Sequence, residues 1–99
     1  FYFNKNFKYV FNYHCLYIIL NQKNSGKFIN FLKKNKIQAF IGYVPLHTSP
    51  YGKTLGTDKL VNTTKLSNKI VRLPIHNYMS FSDVSYIVQI IVKFFSKKL

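Results

Sequence analysis

The chain is nearly without acid. Of its 99 residues only Asp58 and Asp83 are acidic, and there is no glutamate. Catalysis by paired carboxylates needs two such groups held side by side. Asp58 falls in a loop and Asp83 at a helix-capping position, so the sequence excludes that chemistry. Cysteine is equally scarce. Cys15 stands alone in an apolar run, which argues against a disulfide framework and fits a reducing compartment. It reads as a small buried hydrophobe rather than a nucleophile. His14 beside it falls on the other face of a strand, so the two form no dyad there. The three histidines, His14, His47 and His76, lie about 30 residues apart and match no compact zinc spacing, so no metal is expected. A phosphate loop is lacking too: Gly52-Lys-Thr-Leu-Gly56 has the wrong order, and no apolar strand immediately precedes it. No apolar run reaches the roughly 18 residues that cross a bilayer. The longest, Ile87 to Phe95, is broken by Gln89 and Lys93.

What is present is a core and a large positive charge. Apolar residues make up 47% of the chain and aromatics 18%, enough for one packed domain. The net charge is +13, which raises nucleic acid or an anionic membrane as partners. The basic residues are spread along the whole chain, however. Their densest groups, Lys33-Lys34-Asn35-Lys36 and Lys97-Lys98, stand beside helix C-termini, where cations complement the helix dipole. The joint richness in Asn, Ile, Phe, Tyr and Lys is what A/T-rich codons produce. The chain opens Phe-Tyr-Phe rather than with Met, and no signal-peptide pattern precedes the first strand. It reads as a piece of something longer.

Periodicity predicts the elements. Residues 1–13 form a lead-in without a clear period. His14 to Leu20 is a near-continuous apolar run, read as a buried strand. Asn21 to Gly26 is turn-forming. Lys27 to Lys36 is an amphipathic helix with Phe28, Ile29, Phe31 and Leu32 inward and Ser25 as its cap. Ile37 to Val44 alternates Ile37, Ala39 and Ile41 with Gln38, Phe40 and Gly42, the period of a two-faced strand. The two strands and the helix between them make a split β-α-β unit. Pro50 to Asn62 reads as loop. A helix capped by Asn62 or Thr63 runs to about Val71, with Leu66, Ile70, Val71 and Leu73 inward, and Pro74 blocks its continuation. Ser80-Phe-Ser-Asp83 resembles a capping box. It opens a helix whose Val84, Ile87, Val88, Ile91, Phe94 and Phe95 repeat at 3.6-residue spacing.

One stretch gathers the polar groups that could meet a ligand. Pro45 lacks an N–H and ends the strand from Ile37. Around it, Tyr43-Val-Pro45-Leu-His47-Thr-Ser-Pro50 forms a proline-bounded loop at a strand end, where α/β proteins commonly place binding residues. Tyr43 and His47 can each hydrogen-bond a sugar hydroxyl or a phosphate. A plain turn, with His47 bonded to nearby backbone, reads equally well from these residues alone.

Several motifs in fixed order resemble a known family. Asn12-Tyr-His14-Cys-Leu-Tyr17-Ile, Phe31-Leu32, Tyr43-Val-Pro45-Leu46-His47-Thr-Ser-Pro50-Tyr-Gly52, Thr63-Thr64-Lys-Leu-Ser67 and Val71-Arg72-Leu73-Pro74 look like the C-terminal domain of the DegT/StrS-type sugar aminotransferases. The resemblance runs from about Asn12 to Phe95. The combination of the Pro-Leu-His loop with the Thr-Thr-x-x-Ser helix is most similar to the dTDP-4-amino-4,6-dideoxygalactose transaminase branch.

The resemblance implies an α/β (α+β) fold, the small C-terminal domain of the aspartate aminotransferase superfamily, with a small sheet covered by helices on one face. It implies a lead-in at 1–13 from a large domain, the small domain at 14–96 and a basic tail at 97–99. It implies a cytoplasmic enzyme that moves an amino group, usually from glutamate, to a nucleotide-linked keto sugar such as a dTDP-4-keto-6-deoxyhexose. Pyridoxal 5'-phosphate (PLP) would serve as electron sink at a homodimer interface. The Schiff-base lysine belongs to the large domain, so none of this chain's lysines takes that role and no catalytic residue is assigned. Tyr43 and His47 are carried over as substrate-binding residues facing the nucleotide sugar. Gly42 departs from the family, which often has His before that Tyr. Asn12, His14 and Arg72 are carried over as structural, Arg72 through a fixed multidentate hydrogen bond. The open sheet face, rich in Phe and Tyr, should be sticky without its large domain.

Two alternatives remain. A basic nucleic-acid module predicts lysines and aromatics on a shared sheet face, and binding to single strands at ~0.15 M salt. A stand-alone interaction domain predicts an upstream reading frame that encodes no PLP domain.

Overall fold

In the computed structural model, which describes residues 12–21, 25–56 and 59–96, eight short elements follow one another. They are β1 (Leu16–Ile19), α1 (Ser25–Lys34), β2 (Phe40–Ile41), a 3-10 turn (Leu46–Thr48), α2 (Gly52–Leu55), α3 (Val61–Ser67), β3 (Ile70–Leu73) and α4 (Phe81–Ser96). The strands form one sheet in the order β1-β3-β2, with β3 antiparallel to both neighbours. β1 and β2 therefore run parallel without touching, and β3 fills the gap. This is the split β-α-β unit expected from the sequence, and the fold is the expected mixed α/β arrangement, a small antiparallel sheet with helices.

Register decides which side chains meet. Ile18 pairs with Val71 and Val71 with Ile41, so these three share one face. Tyr17, Arg72 and Phe40 are likewise aligned and share the other. On the first face Ile18, Leu20, Ile37, Ala39 and Val71 are buried against Phe28 and Leu32 of α1 and Ile90 of α4. Burying each such side chain contributes roughly 1.5–3 kcal/mol. Where α1 meets α4, Phe28 stands edge-on to Phe94 at 4.9 Å between ring centroids, and Phe31 lies 5.2 Å from Phe94. Among the described residues the second face carries no helix: Tyr17 is 46% and Phe40 57% exposed.

The end of α1 fixes how the chain enters β2. The Ile37 N–H donates to the Leu32 carbonyl at 3.0 Å and the Lys36 N–H to the Lys33 carbonyl at 3.0 Å. That is the Schellman pattern, with buried Ile37 packed with buried Leu32 in the core cluster. Its left-handed position is Lys36, at φ 60°, where glycine is usual. The same turn is pinned to α4 by Tyr86, whose hydroxyl donates to the Asn35 carbonyl at 3.1 Å.

α4 opens as the sequence predicts. The Asp83 N–H donates to Ser80 Oγ at 3.2 Å, and the Ser80 N–H donates to Asp83 Oδ2 at 2.8 Å, a reciprocal capping box. Its buried stripe is displaced from the predicted one. Ile90 is the buried member, with Ile87, Ile91, Phe94 and Phe95 beside it, whereas Val84 and Val88 are about half exposed.

Four other expectations are corrected. Ile70–Leu73 is the central strand and not the end of a helix: α3 stops at Ser67, and Asn68 and Lys69 turn the chain. β-branched Ile70 and Val71 favour the pleated surface between two partners. The strand predicted over Ile37 to Val44 pairs only at Phe40–Ile41: the Ile37 N–H is spent on the Leu32 carbonyl, and β3 begins at Ile70, whose carbonyl takes the Gly42 N–H. The loop predicted from Pro50 to Asn62 contains α2. α3 begins at Val61 after Leu60, with no side-chain cap from Asn62 or Thr63. The lead-in through residue 11, the residues just before Ser25 and the tail at 97–99 lie outside the described residues.

Candidate functional site

Tyr43 and His47 both follow β2, and each is fixed by a different part of the fold. Pro45 (φ −59°) begins the 3-10 turn that carries His47. The turn is held by its own polar side chains. Thr48 Oγ1 donates to the Pro45 carbonyl at 2.9 Å, Ser49 Oγ donates to the Leu46 carbonyl at 2.7 Å, and the Gly52 N–H donates to Ser49 Oγ at 2.9 Å. Gly52 is required sterically. A Cβ there would stand 1.7 Å from the Leu46 carbonyl oxygen, so the loop closes this tightly only around glycine.

His47 is half-buried, and its Nε2 lies 2.9 Å from Thr64 Oγ1 on α3. Thr64 has a single hydroxyl hydrogen, and the Leu60 carbonyl, 3.1 Å away, can only accept. That carbonyl already accepts the Thr64 N–H at 3.0 Å, so the hydroxyl can meet His47 Nε2 as acceptor in one tautomer or as donor in the other. In either tautomer Nδ1 is the ring atom left for a ligand group, a hydroxyl being able to donate to it or accept from it. His47 also borders a cleft of about 290 Å³, lined with Leu46, Gly52, Leu55, Gly56 and Leu60. The cleft is apolar around one polar ring, the usual character of a small-molecule contact.

Tyr43 is 75% exposed. Its ring lies under the Arg72 guanidinium, whose carbon is 4.9 Å from the ring centroid, a cation–π geometry. This corrects the expectation for Arg72. Among the described residues its guanidinium makes no multidentate hydrogen bond; it rests on an aromatic face instead. No bond or ring contact joins Tyr43 to His47 among the described residues.

A second cleft, of about 270 Å³, opens on the bare face of the sheet, with Arg72, Phe40, Gln38, His14, Cys15 and His76 among its walls. His14 and Cys15 border it together rather than on opposite faces. Tyr13 has a left-handed φ of 51° and the strand starts only at Leu16, so strand alternation does not reach His14. The His14 N–H donates to Asn12 Oδ1 at 3.0 Å, an Asx-type turn that gives Asn12 its structural part. Among the described residues no three His, Cys, Asp or Glu side chains converge as a metal site, and no helix is long and apolar enough to cross a membrane. Among the described residues the three strands carry no lysine, and Arg72 is their one cation.

The fold, the turn and the Thr64 contact now stand beside the comparison with known families. The sequence model of the DegT/DnrJ/EryC1/StrS aminotransferase family matches residues 3–92. The chain belongs to that family. The match covers every strand and all but the last turn of α4. Two motifs distant in sequence, the Pro-Leu-His loop and the Thr-Thr-x-x-Ser helix, are joined here by one hydrogen bond. Ser67, the last member of the second motif, donates to the Thr64 carbonyl at 3.0 Å and closes the end of α3.

Membership of this aminotransferase family implies PLP, and the described residues do not compose a site for it. PLP needs a lysine amine, an acid at the ring nitrogen and a phosphate cradle. Neither cleft is lined by a lysine or a carboxylate, and the described acid, Asp83, is spent on the cap of α4. No step through the cofactor is therefore assigned to these residues.

Sequence reasoning missed Thr64 and the Arg72–Tyr43 pair as parts of the site. A signal for each was present. Thr64 stood in a quoted motif, and Arg72 is the sole arginine of a lysine-rich chain.

Proposed function

We propose that this chain is the small C-terminal domain of a nucleotide-sugar aminotransferase. In this reading residues 14–96 form the domain, residues 1–13 lead in from a large domain, and residues 97–99 are a basic tail. The large domain carries PLP and its Schiff-base lysine, and the active site forms at a homodimer interface. The substrate is a keto sugar on a nucleotide, in the dTDP-4-amino-4,6-dideoxygalactose transaminase branch a dTDP-4-keto-6-deoxyhexose. Glutamate supplies the amino group in the cytoplasm. The chain alone carries out no transamination.

The observation that supports this reading most is the His47–Thr64 hydrogen bond. A loop histidine with only a packing role needs no fixed tautomer. Here Nε2 is engaged by Thr64 and Nδ1 is left for a ligand beside a cleft. A sugar hydroxyl, which both donates and accepts, complements it. Tyr43, exposed on its Arg72 support, is the second contact to the nucleotide sugar.

The test is His47→Ala in an intact aminotransferase carrying this domain. The expected result is a higher KM or a lower kcat for the nucleotide sugar, with the amino donor half-reaction little changed. Unchanged kinetics with both substrates would retire His47 as a contact.

A further inference from the structure

Among the described residues the Arg72 guanidinium is a cation without a protein anion. Arg72 lies on the central strand, half-buried and facing the bare side of the sheet. The chain has two acids against fifteen lysines and arginines. Asp83 accepts two bonds from Ser80 and belongs to the helix cap. Among the described residues nothing accepts from the guanidinium of Arg72, which instead lies over the Tyr43 ring. A guanidinium over an aromatic face is braced there without using its N–H donors on an anion, and its planar fork matches two oxygens of a carboxylate or phosphate.

The surroundings add donors. Arg72 borders the cleft of about 270 Å³ together with His14 and His76. The Tyr78 N–H donates to His76 Nδ1 at 3.2 Å. With Nδ1 accepting, the neutral His76 ring carries its hydrogen on Nε2 and offers it as a donor. The cleft is at the small end of ligand pockets, with room for an oxyanion and a short organic group.

We propose that Arg72, braced by Tyr43 and assisted by His76 and His14, is an oxyanion-binding site on the open face of the sheet, taking a carboxylate or phosphate group of a small ligand. The site shares Tyr43 with the sugar-aminotransferase reading but does not depend on it. It is read by direct binding, whereas that reading is tested by turnover of His47→Ala.

Because Arg72 is the only arginine, its Nε–Hε group gives a single side-chain signal in a ¹⁵N-labelled 99-residue chain. That signal is followed while sodium phosphate, and separately sodium L-glutamate, replaces sodium chloride at constant ionic strength. The expected result is a saturating shift with at least one of the two anions. Saturation by phosphate alone assigns a phosphate-bearing ligand, and saturation by glutamate alone a carboxylate. Arg72→Gln should weaken binding, followed by the backbone amides of residues 70–76, by at least about tenfold. Lys33→Gln, the same change of charge on an exposed position of α1, should leave binding within about twofold, since it tests general attraction alone. A linear, unsaturating response to both anions overturns the proposal. So does equal weakening by the two variants. If Arg72→Gln does not fold, the wild-type Nε–Hε titration and Lys33→Gln still decide.

Discussion

Nε2 of His47 lies 2.9 Å from Oγ1 of Thr64. The two residues come from separate elements, a 3-10 turn after β2 and the middle of α3. Their bond ties the proline-bounded loop to the segment that leads into the central strand. A ligand that meets Nδ1 of His47 therefore meets a ring held by the scaffold rather than by its own loop. Pre-set orientation of this kind reduces the ordering cost of binding.

Thr64→Val keeps the shape of Thr64 and removes its oxygen. His47 then loses its partner, and both neutral tautomers become populated. Long-range ¹H–¹⁵N spectra of the His47 ring should change from one tautomer to a mixture. The expected stability loss is about 1 kcal/mol. In an intact enzyme, kcat/KM for the nucleotide sugar should fall ~5-fold, which corresponds to a similar energy. A ring signal unchanged by the substitution would show that Thr64 does not set the tautomer.

Much of the fold was legible because local signals were strong and agreed. Ser80 and Asp83 announced the start of α4 three residues apart, and both halves of that cap exist. Phe28 and Leu32, four apart, marked the buried side of α1 and are fully buried. β3 was not legible. Its four residues follow α3 after a two-residue turn, and Leu66, Ile70 and Leu73 keep helical spacing across the break. Only pairing with β1 and β2, which lie far away in sequence, makes them a strand. Ile90 was missed because Val84 and Val88 fit the helical period as well as Ile87, and period alone does not say which side meets α1. At the candidate site, Tyr43 and His47 stood out by residue type and loop position. Their anchors, Arg72 and Thr64, are 29 and 17 residues further along, and nothing local points to such partners.

Gly52→Ala should disturb the His47 loop without touching the sheet. The added Cβ would overlap the Leu46 carbonyl oxygen and crowd Ser49 Oγ, itself bonded to Leu46 and Gly52. Backbone cannot yield as a flexible side chain does, so residues 46–55 must shift. The expected cost is roughly 1–3 kcal/mol, the range for overpacking. Amide shifts should move over residues 46–55 and at Thr64, while those of β1 remain. Gly56→Ala is the contrast, since nothing lies within 4 Å of its added methyl.

Lys36→Gly should stabilise the chain. Lys36 holds a left-handed φ of 60° at the end of α1, which costs a residue with a Cβ about 1–2 kcal/mol. Glycine removes that strain but loses more freedom on folding, by roughly 0.5–1 kcal/mol. The net gain expected is about 0.5–1 kcal/mol in urea unfolding, with an unchanged m-value. Lys34→Gly, two residues earlier inside the helix, should instead destabilise, by about 1 kcal/mol. The opposite signs separate the end-cap geometry from any effect of losing a lysine.

The cap of α4 makes stability depend on acid. Hydrogen bonds from the Ser80 hydroxyl and then the Ser80 N–H, with the nearby His76 charge as a lesser cause, hold the Asp83 carboxyl below its ordinary value, and burial opposes them only weakly. A carboxyl with a lowered folded pKa binds its proton more readily in the unfolded chain. Its stabilising contribution is therefore complete above the unfolded pKa, near 3.9. It declines as pH falls from there through the lower folded value. Ser80→Ala removes the hydroxyl that both caps the helix and donates to Asp83. The expected loss from the missing Ser80 cap is about 1 kcal/mol at neutral pH. Between neutral pH and the acid range, the stability of Ser80→Ala should also vary less steeply than that of the wild type. Equal slopes in urea unfolding across that range would mean that the Ser80–Asp83 pairing does not govern the acid limb.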